Sequence, residues 1–253
     1  MKVKIVKKNN IKDIEWIIEY LKDNNVEISD DINDVDILLS LGGDGTILSL
    51  VDLLCKKNVP VFSVNYGNVG YMTKVSKDNF KDNFDRFLKG EYRLEHRDFL
   101  EIEFKNEKYY ALNELSILKN TINSKLIKIN AYQEDKLINV YRGDGVIVST
   151  PTGSTAYSLS ANGPIIHPEL KAICITPLAP QTLSARSIIL QSDKYLYFSV
   201  EDESVGINVD GRLHLELKKG EFVKAKLSDF GIDLICIEDT NYFDVLKEKL
   251  HWS

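Results

Sequence analysis

The stretch Leu41–Leu48, with the sequence Leu-Gly-Gly-Asp-Gly-Thr-Ile-Leu, decides how the first part of the chain is interpreted. An apolar run over residues 35–41 precedes the glycines and predicts a buried strand. Apolar residues at helical spacing follow over residues 47–54. The glycines between them let a ligand approach the backbone closely, and the free N–H groups at the start of a helix favour an anion. The carboxylate of Asp44 inside such a loop is the first indication of chemistry.

The flanking segments repeat the alternation of strand and helix. Strand patterns at residues 2–6 and 59–64 enclose two helical patterns, and an amphipathic helix over residues 80–88 follows. This order predicts a parallel sheet with helices packed against it. Residues 65–72, Asn-Tyr-Gly-Asn-Val-Gly-Tyr-Met, form a second glycine-bearing loop after a strand. Because ligands bind at the carboxyl ends of parallel strands, we expect both glycine loops to face one crevice.

From about residue 92 the pattern changes to short period-2 segments separated by polar turns. Such segments predict an all-β region of two packed sheets. The predicted fold is therefore α/β plus all-β, with a Rossmann-like parallel α/β N-terminal domain and a C-terminal two-sheet β-sandwich domain. We assign residues 1–92 to the first domain, joined by a C-terminal helix within about residues 238–253, and residues 93–237 to the second.

The composition limits the classes of function that the chain can have. The 253 residues are 43% hydrophobic and 28% charged with a net charge of −6, which is typical of a soluble globular protein and does not favour a nucleic-acid partner. No signal peptide or transmembrane run is visible, so we expect no membrane association. Three cysteines lie far apart in apolar stretches, which predicts reduced core cysteines in a cytoplasmic protein. The four histidines lack metal-ligand spacing, so we predict no metal-binding side chains.

Two further elements carry polar chemistry. Residues 142–168 contain a run of hydroxyls, proline and glycine at Ser149–Thr155 that is unsuited to a core and typical of a binding loop. Asn113 and Glu114 lie inside an apolar stretch, and burying either side chain costs several kcal/mol, on the order of 2–7 for a neutral group without a hydrogen bond. The pair therefore either satisfies a backbone end or holds ligand hydroxyls, and a carboxylate accepting two vicinal hydroxyls suits a ribose.

Taken together, these motifs resemble the NAD kinase family. The resemblance rests on Gly42–Thr46, on Asn113-Glu114 and above all on residues 149–160, Ser-Thr-Pro-Thr-Gly-Ser-Thr-Ala-Tyr-Ser-Leu-Ser, and it spans nearly the whole chain. The second loop departs from the family pattern Gly-x-x-Gly-Phe-Leu, since Tyr71 and Met72 replace its last two residues.

The resemblance implies an activity and a set of roles. Members transfer a phosphoryl group from ATP or polyphosphate to the 2′-hydroxyl of the adenosine ribose of NAD, which makes NADP. Asp44 is then the general base, and the phosphate loop comprises Gly42, Gly43, Gly45 and Thr46. The implied NAD-binding residues are Asp44, Gly45, Asn113, Glu114, Lys125, Arg142, Asp144, Thr155, Ala156, Tyr157, Ser158, Leu159, Ser160 and Arg212. Asp144 is expected near the nicotinamide, where a neighbouring subunit can supply it. The resemblance also implies a homodimer or homotetramer, and the donor's charge calls for a divalent metal ion, Mg²⁺, bound through its phosphates.

Three alternatives stay open at this point. Asp44 can have a structural role, fixing the loop or a metal-bound water. The chain can be a lipid or sugar kinase of the same superfamily, although Ser149–Ser160 suits neither substrate. It can also be a non-catalytic dinucleotide sensor, although a sensor has no need of the base.

Overall fold

The structure, a computed structural model, describes residues 1–67, 70–120, 125–237 and 241–252. Its strands are β1 (Lys2–Lys7), β2 (Glu27–Ile28), β3 (Ile37–Gly42), β4 (Val61–Asn65), β5 (Val75–Ser76), β6 (Arg93–Phe104), β7 (Glu107–Ala111), β8 (Glu114–Leu118), β9 (Ile127–Gln133), β10 (Lys136–Gly143), β11 (Gly145–Ser149), β12 (Ala172–Leu178), β13 (Ile188–Gln191), β14 (Leu196–Val200), β15 (Ser204–Val209), β16 (Leu213–Lys218) and β17 (Val223–Cys236). Its helices are α1 (Glu15–Asp23), α2 (Asp44–Leu48), α3 (Val51–Leu54), α4 (Phe80–Leu88), α5 (Tyr157–Ser160) and α6 (Tyr242–Leu250), with 3-10 turns at Ile32–Asp34 and Thr152–Thr155. Within the described ranges, none of the helices has both the length and the apolar character needed to cross a bilayer.

The N-terminal unit comprises residues 1–96 and the described chain from residue 232 onward. Its strands are parallel in the order β2–β1–β3–β4. Both β5 and the C-terminal end of β17 pair with β4, also in parallel. The predicted parallel α/β sheet is therefore confirmed. The division between the two units falls within β6 and β17, and both strands run through it without a break.

The core of this unit follows from the apolar patterns. Every residue of β3 and β4 is buried, as expected for central parallel strands covered on both faces. Helix α4 places Phe80, Phe84 and Phe87 on one face, and their rings contact that of Phe62 on β4 at centroid distances of 6.1, 5.2 and 5.7 Å. Edge-to-face packing of this kind stabilises a core beyond the area that it buries.

The helix predicted after the glycine turn is instead two short helices, α2 and α3. The hydroxyl of Ser49 donates to the carbonyl of Thr46 at 2.6 Å, and the N–H of Leu50 donates to Ile47 at 2.9 Å. A serine that bonds back to the preceding turn tightens and interrupts a helix. The periodicity of the apolar residues survives this interruption, which is why the sequence pattern does not reveal it.

The C-terminal unit, residues 97–231, contains two sheets. One has the order β10–β9–β14–β17, with β6 paired to β17 and β7 paired to β6. The other is antiparallel throughout, in the order β13–β12–β11–β8–β15–β16. Their facing side chains form one apolar core that includes Leu100, Ile117, Ile129, Val148 and Phe198. The predicted two-sheet sandwich is confirmed.

Two local predictions are wrong. The apolar stretch around Asn113 and Glu114 is not one strand, because it is broken at Leu112 and Asn113 between β7 and β8, so Asn113-Glu114 lies at a strand start. The reason is that a carboxylate from elsewhere takes the backbone N–H groups of residues 112–114. Of the three cysteines, Cys174 and Cys236 are buried as predicted, but Cys55 is exposed, since it follows the last residue of α3.

Candidate functional site

The carboxylate of Asp44 is held by the backbone of the second glycine loop. The N–H of Tyr71 donates to Asp44 Oδ2 at 2.8 Å, and the N–H groups of Met72 and Thr73 donate to Oδ1 at 3.1 and 3.2 Å. Three backbone donors on one carboxylate fix its position and orientation. The two glycine loops therefore meet at Asp44, within the N-terminal unit.

Gly70 is required by this arrangement. A Cβ at residue 70 would lie 2.1 Å from Asp44 Oδ1 and 2.3 Å from the hydroxyl oxygen of Thr73. A side chain at residue 70 would displace the Asp44 carboxylate, so the second loop needs glycine to hold the carboxylate in this position. Asn68 and Val69, which belong to the same loop motif, lie outside the described residues.

A cavity of about 440 Å³ lies at the carboxyl ends of β1, β3 and β4 in the same unit. Its lining includes Gly42 and Gly43 together with the lysines Lys8, Lys12 and Lys77. Of the other predicted phosphate-loop residues, Gly45 is exposed and Thr46 is buried. Basic side chains and the open backbone at Gly43 thus line one cavity.

In the C-terminal unit the central feature is Asp210, which follows β15. Its carboxylate accepts the N–H groups of Leu112, Asn113 and Glu114 at 2.7, 2.9 and 3.0 Å. Burial raises the pKa of Asp210, and these three hydrogen bonds and the charge of Arg212, 3.9 Å away, act against that rise. Asp210 therefore fixes the turn that presents Asn113 and Glu114.

Glu114 is a buried carboxyl with an unusual proton affinity. Its exposed fraction is 9%, and desolvation together with the charge of Asp210 raises its pKa to about 7, against a lowering by a hydrogen bond from the backbone of Tyr157. Within the described ranges, its Oε2 atom has no hydrogen-bond partner. A buried oxygen of this kind is costly unless a ligand satisfies it.

The hydroxyl-rich loop packs directly on the same turn. The hydroxyl of Thr150 donates to the carbonyl of Leu112 at 2.6 Å, and its N–H donates to the carbonyl of Asn113 at 2.9 Å. A Cβ at Gly153 would lie 2.0 Å from that Asn113 oxygen, so only glycine allows this contact. The structure therefore brings together Asn113, Glu114 and the loop that the sequence singled out.

The segment after this loop is divided between burial and exposure. Tyr157 is 38% exposed and Ser160 is exposed, whereas Thr155, Ala156 and Leu159 are half-buried. Ser158 is fully buried, and its hydroxyl is 2.9 Å from that of Thr176. Its side chain therefore supports the turn, and its neighbours offer the accessible groups.

The remaining predicted residues lie apart from this cluster or at its edge. Arg212 donates to the carbonyl of Tyr110 at 3.1 Å beside Asp210. Asp144 lies between β10 and β11 and forms an ion pair with Lys119 at 2.6 Å. Arg142 and Lys125 are exposed. In the part of the chain that the structure describes, none of Lys125, Arg142 and Asp144 shares a hydrogen bond or ion pair with Glu114.

Sequence reasoning missed two sets of residues. Asp210 precedes a glycine between two strands, a pattern typical of an ordinary hairpin turn, and nothing local indicates that its carboxylate reaches residues 112–114. Lys8, Lys12 and Lys77 are indistinguishable in sequence from solvated surface lysines. They follow β1 and β5, at the ends of parallel strands, and this placement is the signal from which they could have been predicted.

The described residues contain no group of three or more histidine, cysteine, aspartate or glutamate side chains arranged to hold a metal ion.

Comparison with known protein families matches both halves of the chain. Residues 3–92 match the family model described as the ATP-NAD kinase N-terminal domain, and residues 112–236 match the ATP-NAD kinase C-terminal domain. The NAD kinase of Fusobacterium nucleatum is 39% identical over 252 residues, covering 98% of this chain and 94% of that protein. The NAD kinase of Caldicellulosiruptor saccharolyticus is 36% identical over 247 residues, covering 98% and 92%.

Solved structures show the same similarity. An NAD kinase from Archaeoglobus fulgidus in complex with ATP matches with a TM-score of 0.86 and 25% identity over 100% of both chains. A yeast NADH kinase complexed with NADH matches in fold with a TM-score of 0.89 and 24% identity, over 100% of this chain and 88% of that one.

Proposed function

This chain belongs to the NAD kinase family, and from that membership we propose that it phosphorylates the 2′-hydroxyl of the adenosine ribose of NAD with Asp44 as general base. The family excludes the lipid or sugar kinase alternative, because both matched models are those of ATP-NAD kinases. ATP or polyphosphate is the donor, and NADP is the product.

The observation that carries the role of Asp44 is its hydrogen-bonded carboxylate. Oδ1 accepts two backbone N–H groups and Oδ2 accepts one, so Oδ2 keeps a lone pair for a further donor. We assign that lone pair to the acceptor hydroxyl. Because the backbone already orients the carboxylate, Asp44 loses little conformational freedom when the reaction takes place.

The proposed reaction couples one proton transfer to one phosphoryl transfer. The hydroxyl proton moves to Asp44 Oδ2, and the hydroxyl oxygen bonds to the terminal phosphorus of the donor. The bond from that phosphorus to the bridging oxygen breaks, and the shortened phosphate chain leaves. The transition state of phosphoryl transfer is loose, so positioning and electrostatics contribute more than basicity, and an aspartate suffices.

Glu114 and Asn113 are proposed to bind the acceptor. The unpartnered Glu114 Oε2 is an acceptor for ribose hydroxyls, and the turn held by Asp210 presents both side chains. Thr155–Ser160 line the adenosine, and Lys125, Arg142, Asp144 and Arg212 supply further polar contacts, as the resemblance implies. The homodimer or homotetramer, with Asp144 supplied by a neighbour, and the cytoplasmic location stay predictions.

A divalent cation, Mg²⁺, is proposed as the cofactor. The described residues form no cage of three ligating side chains, which fits a cation held mainly by phosphate oxygens of the donor. Such a cation neutralises phosphate charge that would otherwise repel Asp44. We expect EDTA to abolish NADP formation and excess Mg²⁺ to restore it. Undiminished activity in EDTA would contradict the cofactor assignment.

The test of the base is Asp44→Asn, assayed for NADP formation from NAD and ATP with Mg²⁺. We expect kcat to fall by about 10²–10⁴-fold, while calorimetry shows NAD affinity within a few-fold of the wild type. Asp52→Asn, on the exposed side of α3, is the matched control and should leave kcat unchanged. Near-normal turnover in Asp44→Asn would refute the role as base.

Two further outcomes decide between the alternatives. If Asp44→Asn lowers NAD affinity and melting temperature in parallel with activity, Asp44 has only a structural role in joining the loops. If the wild type binds NAD but forms no NADP with any donor, the chain is a sensor and not a kinase.

A further inference from the structure

The cavity at Gly42 and Gly43 has an unbalanced charge. Lys8 and Lys12 lie on the exposed segment after β1, and Lys77 lies between β5 and α4, and all three lysines line one cavity. The lining also includes the carboxylate of Asp13. The cavity is therefore positive in net charge although the whole chain carries −6.

These lysines differ from others in the same unit. Lys2 pairs with Asp34 at 2.9 Å, and Lys74 pairs with Glu95 at 3.5 Å. Within the described ranges, no carboxylate lies within 4 Å of the ammonium group of Lys8, Lys12 or Lys77. Like charges around a cavity repel, and an anion that enters relieves the repulsion.

One of the three is positioned by aromatic rings. The Lys77 ammonium lies 5.4 Å from the ring centroid of Tyr66 and 5.9 Å from that of Trp16. Cation–π contacts at these distances hold the charge at the cavity without neutralising it. Lys77 is half-buried, which limits its freedom to turn towards solvent.

The same cavity also offers open backbone. Gly43 has no heavy atom within 4 Å of the position that a Cβ would take, so a ligand can approach the main chain there. Open backbone in a cavity lined by three lysines suits a chain of phosphates, because lysine binds phosphate as a mobile point charge and main-chain N–H groups are close donors.

We propose that Lys8, Lys12 and Lys77 bind the phosphate chain of the phosphoryl donor, and this inference rests on the proposed function. The lysines contact phosphates and not the nucleoside, so ATP and inorganic triphosphate depend on them equally. They determine donor affinity and leave the affinity for NAD unchanged.

The experiment replaces each lysine by methionine, singly and together, in the full chain with Mg²⁺ present. We expect each single change to raise KM for ATP and for inorganic triphosphate by about tenfold or more, the loss typical of one charged phosphate contact. KM for NAD should stay within about twofold, and raising ionic strength should weaken donor binding less in the triple variant than in the wild type. Lys22→Met, on the exposed side of α1, is the matched control and should change none of these values.

A second measurement separates this inference from the proposed function. Calorimetric titration with inorganic triphosphate needs no turnover, and we expect the triple variant to lose binding that the wild type shows. Absence of NADP formation in the wild type would refute the proposed function, while the titration still tests the lysines. Unchanged triphosphate affinity in the triple variant, or a rise confined to KM for NAD, would overturn the inference. Because the three lysines carry no ion pair in the described fold, we expect circular dichroism to show that every variant is folded.

Discussion

Replacing Glu114 by glutamine should stabilise the protein at neutral and alkaline pH and not at acidic pH. The change keeps the shape of the side chain and removes its charge. In the native state, burial and the charge of Asp210 raise the pKa of Glu114 to about 7 from an ordinary value of 4.5. The unfolded chain therefore releases this proton at lower pH than the native chain does.

The magnitude follows from linkage. Each unit of difference in pKa between the native and unfolded states corresponds to about 1.4 kcal/mol. Ionisation of Glu114 therefore lowers the free energy of unfolding by about 3 kcal/mol above pH 7. Between pH 4.5 and 7 the native state binds more protons than the unfolded state, so this contribution makes the wild type less stable as pH rises. Glutamine does not titrate. We expect the stability of Glu114→Gln relative to the wild type to rise by about 2–3 kcal/mol from pH 5 to pH 8.

The assay is urea unfolding of both proteins at pH 5, 6, 7 and 8. Both tryptophans, Trp16 and Trp252, belong to the N-terminal unit, so circular dichroism and not tryptophan fluorescence must follow the C-terminal unit. A pH-independent difference between Glu114→Gln and the wild type would refute the reasoning, because it would mean that Glu114 ionises equally easily in both states.

Two further predictions concern residues that fix the loops. Gly70→Ala should displace the Asp44 carboxylate and lower kcat by about 10²-fold with little change in either KM, whereas Gly67→Ala in the same loop, where the nearest atom to a Cβ is 3.9 Å away, should leave kcat nearly unchanged. A kcat for Gly70→Ala equal to that of the control would show that the carboxylate can move without loss. Asp210→Asn weakens the acceptor of three backbone N–H groups and should lower the free energy of unfolding by about 2–4 kcal/mol in urea. It should also shift the titration of Glu114 to lower pH, because the Asp210 charge helps to raise that pKa, and an unshifted titration would contradict the coupling.

The arrangement of strands could be predicted because it depends on patterns that are local in sequence. The buried runs of β3 and β4, the phenylalanine face of α4 and the period-2 segments of the sandwich each bury one continuous face. The final helix, Tyr242–Leu250, follows from the same periodicity and begins where Asn241 accepts the N–H of Asp244.

The partners of the site residues could not be predicted, because they are distant in sequence. Asp44 is 27 residues from Tyr71, and Asp210 is 98 residues from Leu112, so neither hydrogen bond leaves a local pattern. The break in the strand before Glu114 has the same origin. The residues proposed to carry the chemistry are visible as motifs, but what orients them depends on the tertiary fold.

The cavity lysines illustrate a different limit. A lysine on a polar segment is usually solvated, and neither Lys8 nor Lys12 departs from that pattern in sequence. Only the convergence of the ends of β1 and β3 brings Lys8 to Gly42 and Gly43. A prediction of parallel strands gives this convergence in outline, but it does not indicate which exposed side chains remain unpaired.

The pairing of β17 with β4 has a consequence for biosynthesis. Leu234 lies beside Val61 in the parallel sheet, and Ile235 and Ile237 complete the apolar core of the N-terminal unit. A nascent chain that has left the ribosome only as far as residue 231 therefore exposes one edge of that sheet and part of its core, although the unit's first 96 residues are already made. Translation that stops shortly before residue 232 should consequently yield a product recognised by chaperones and proteases, even though it retains every residue proposed to act in catalysis.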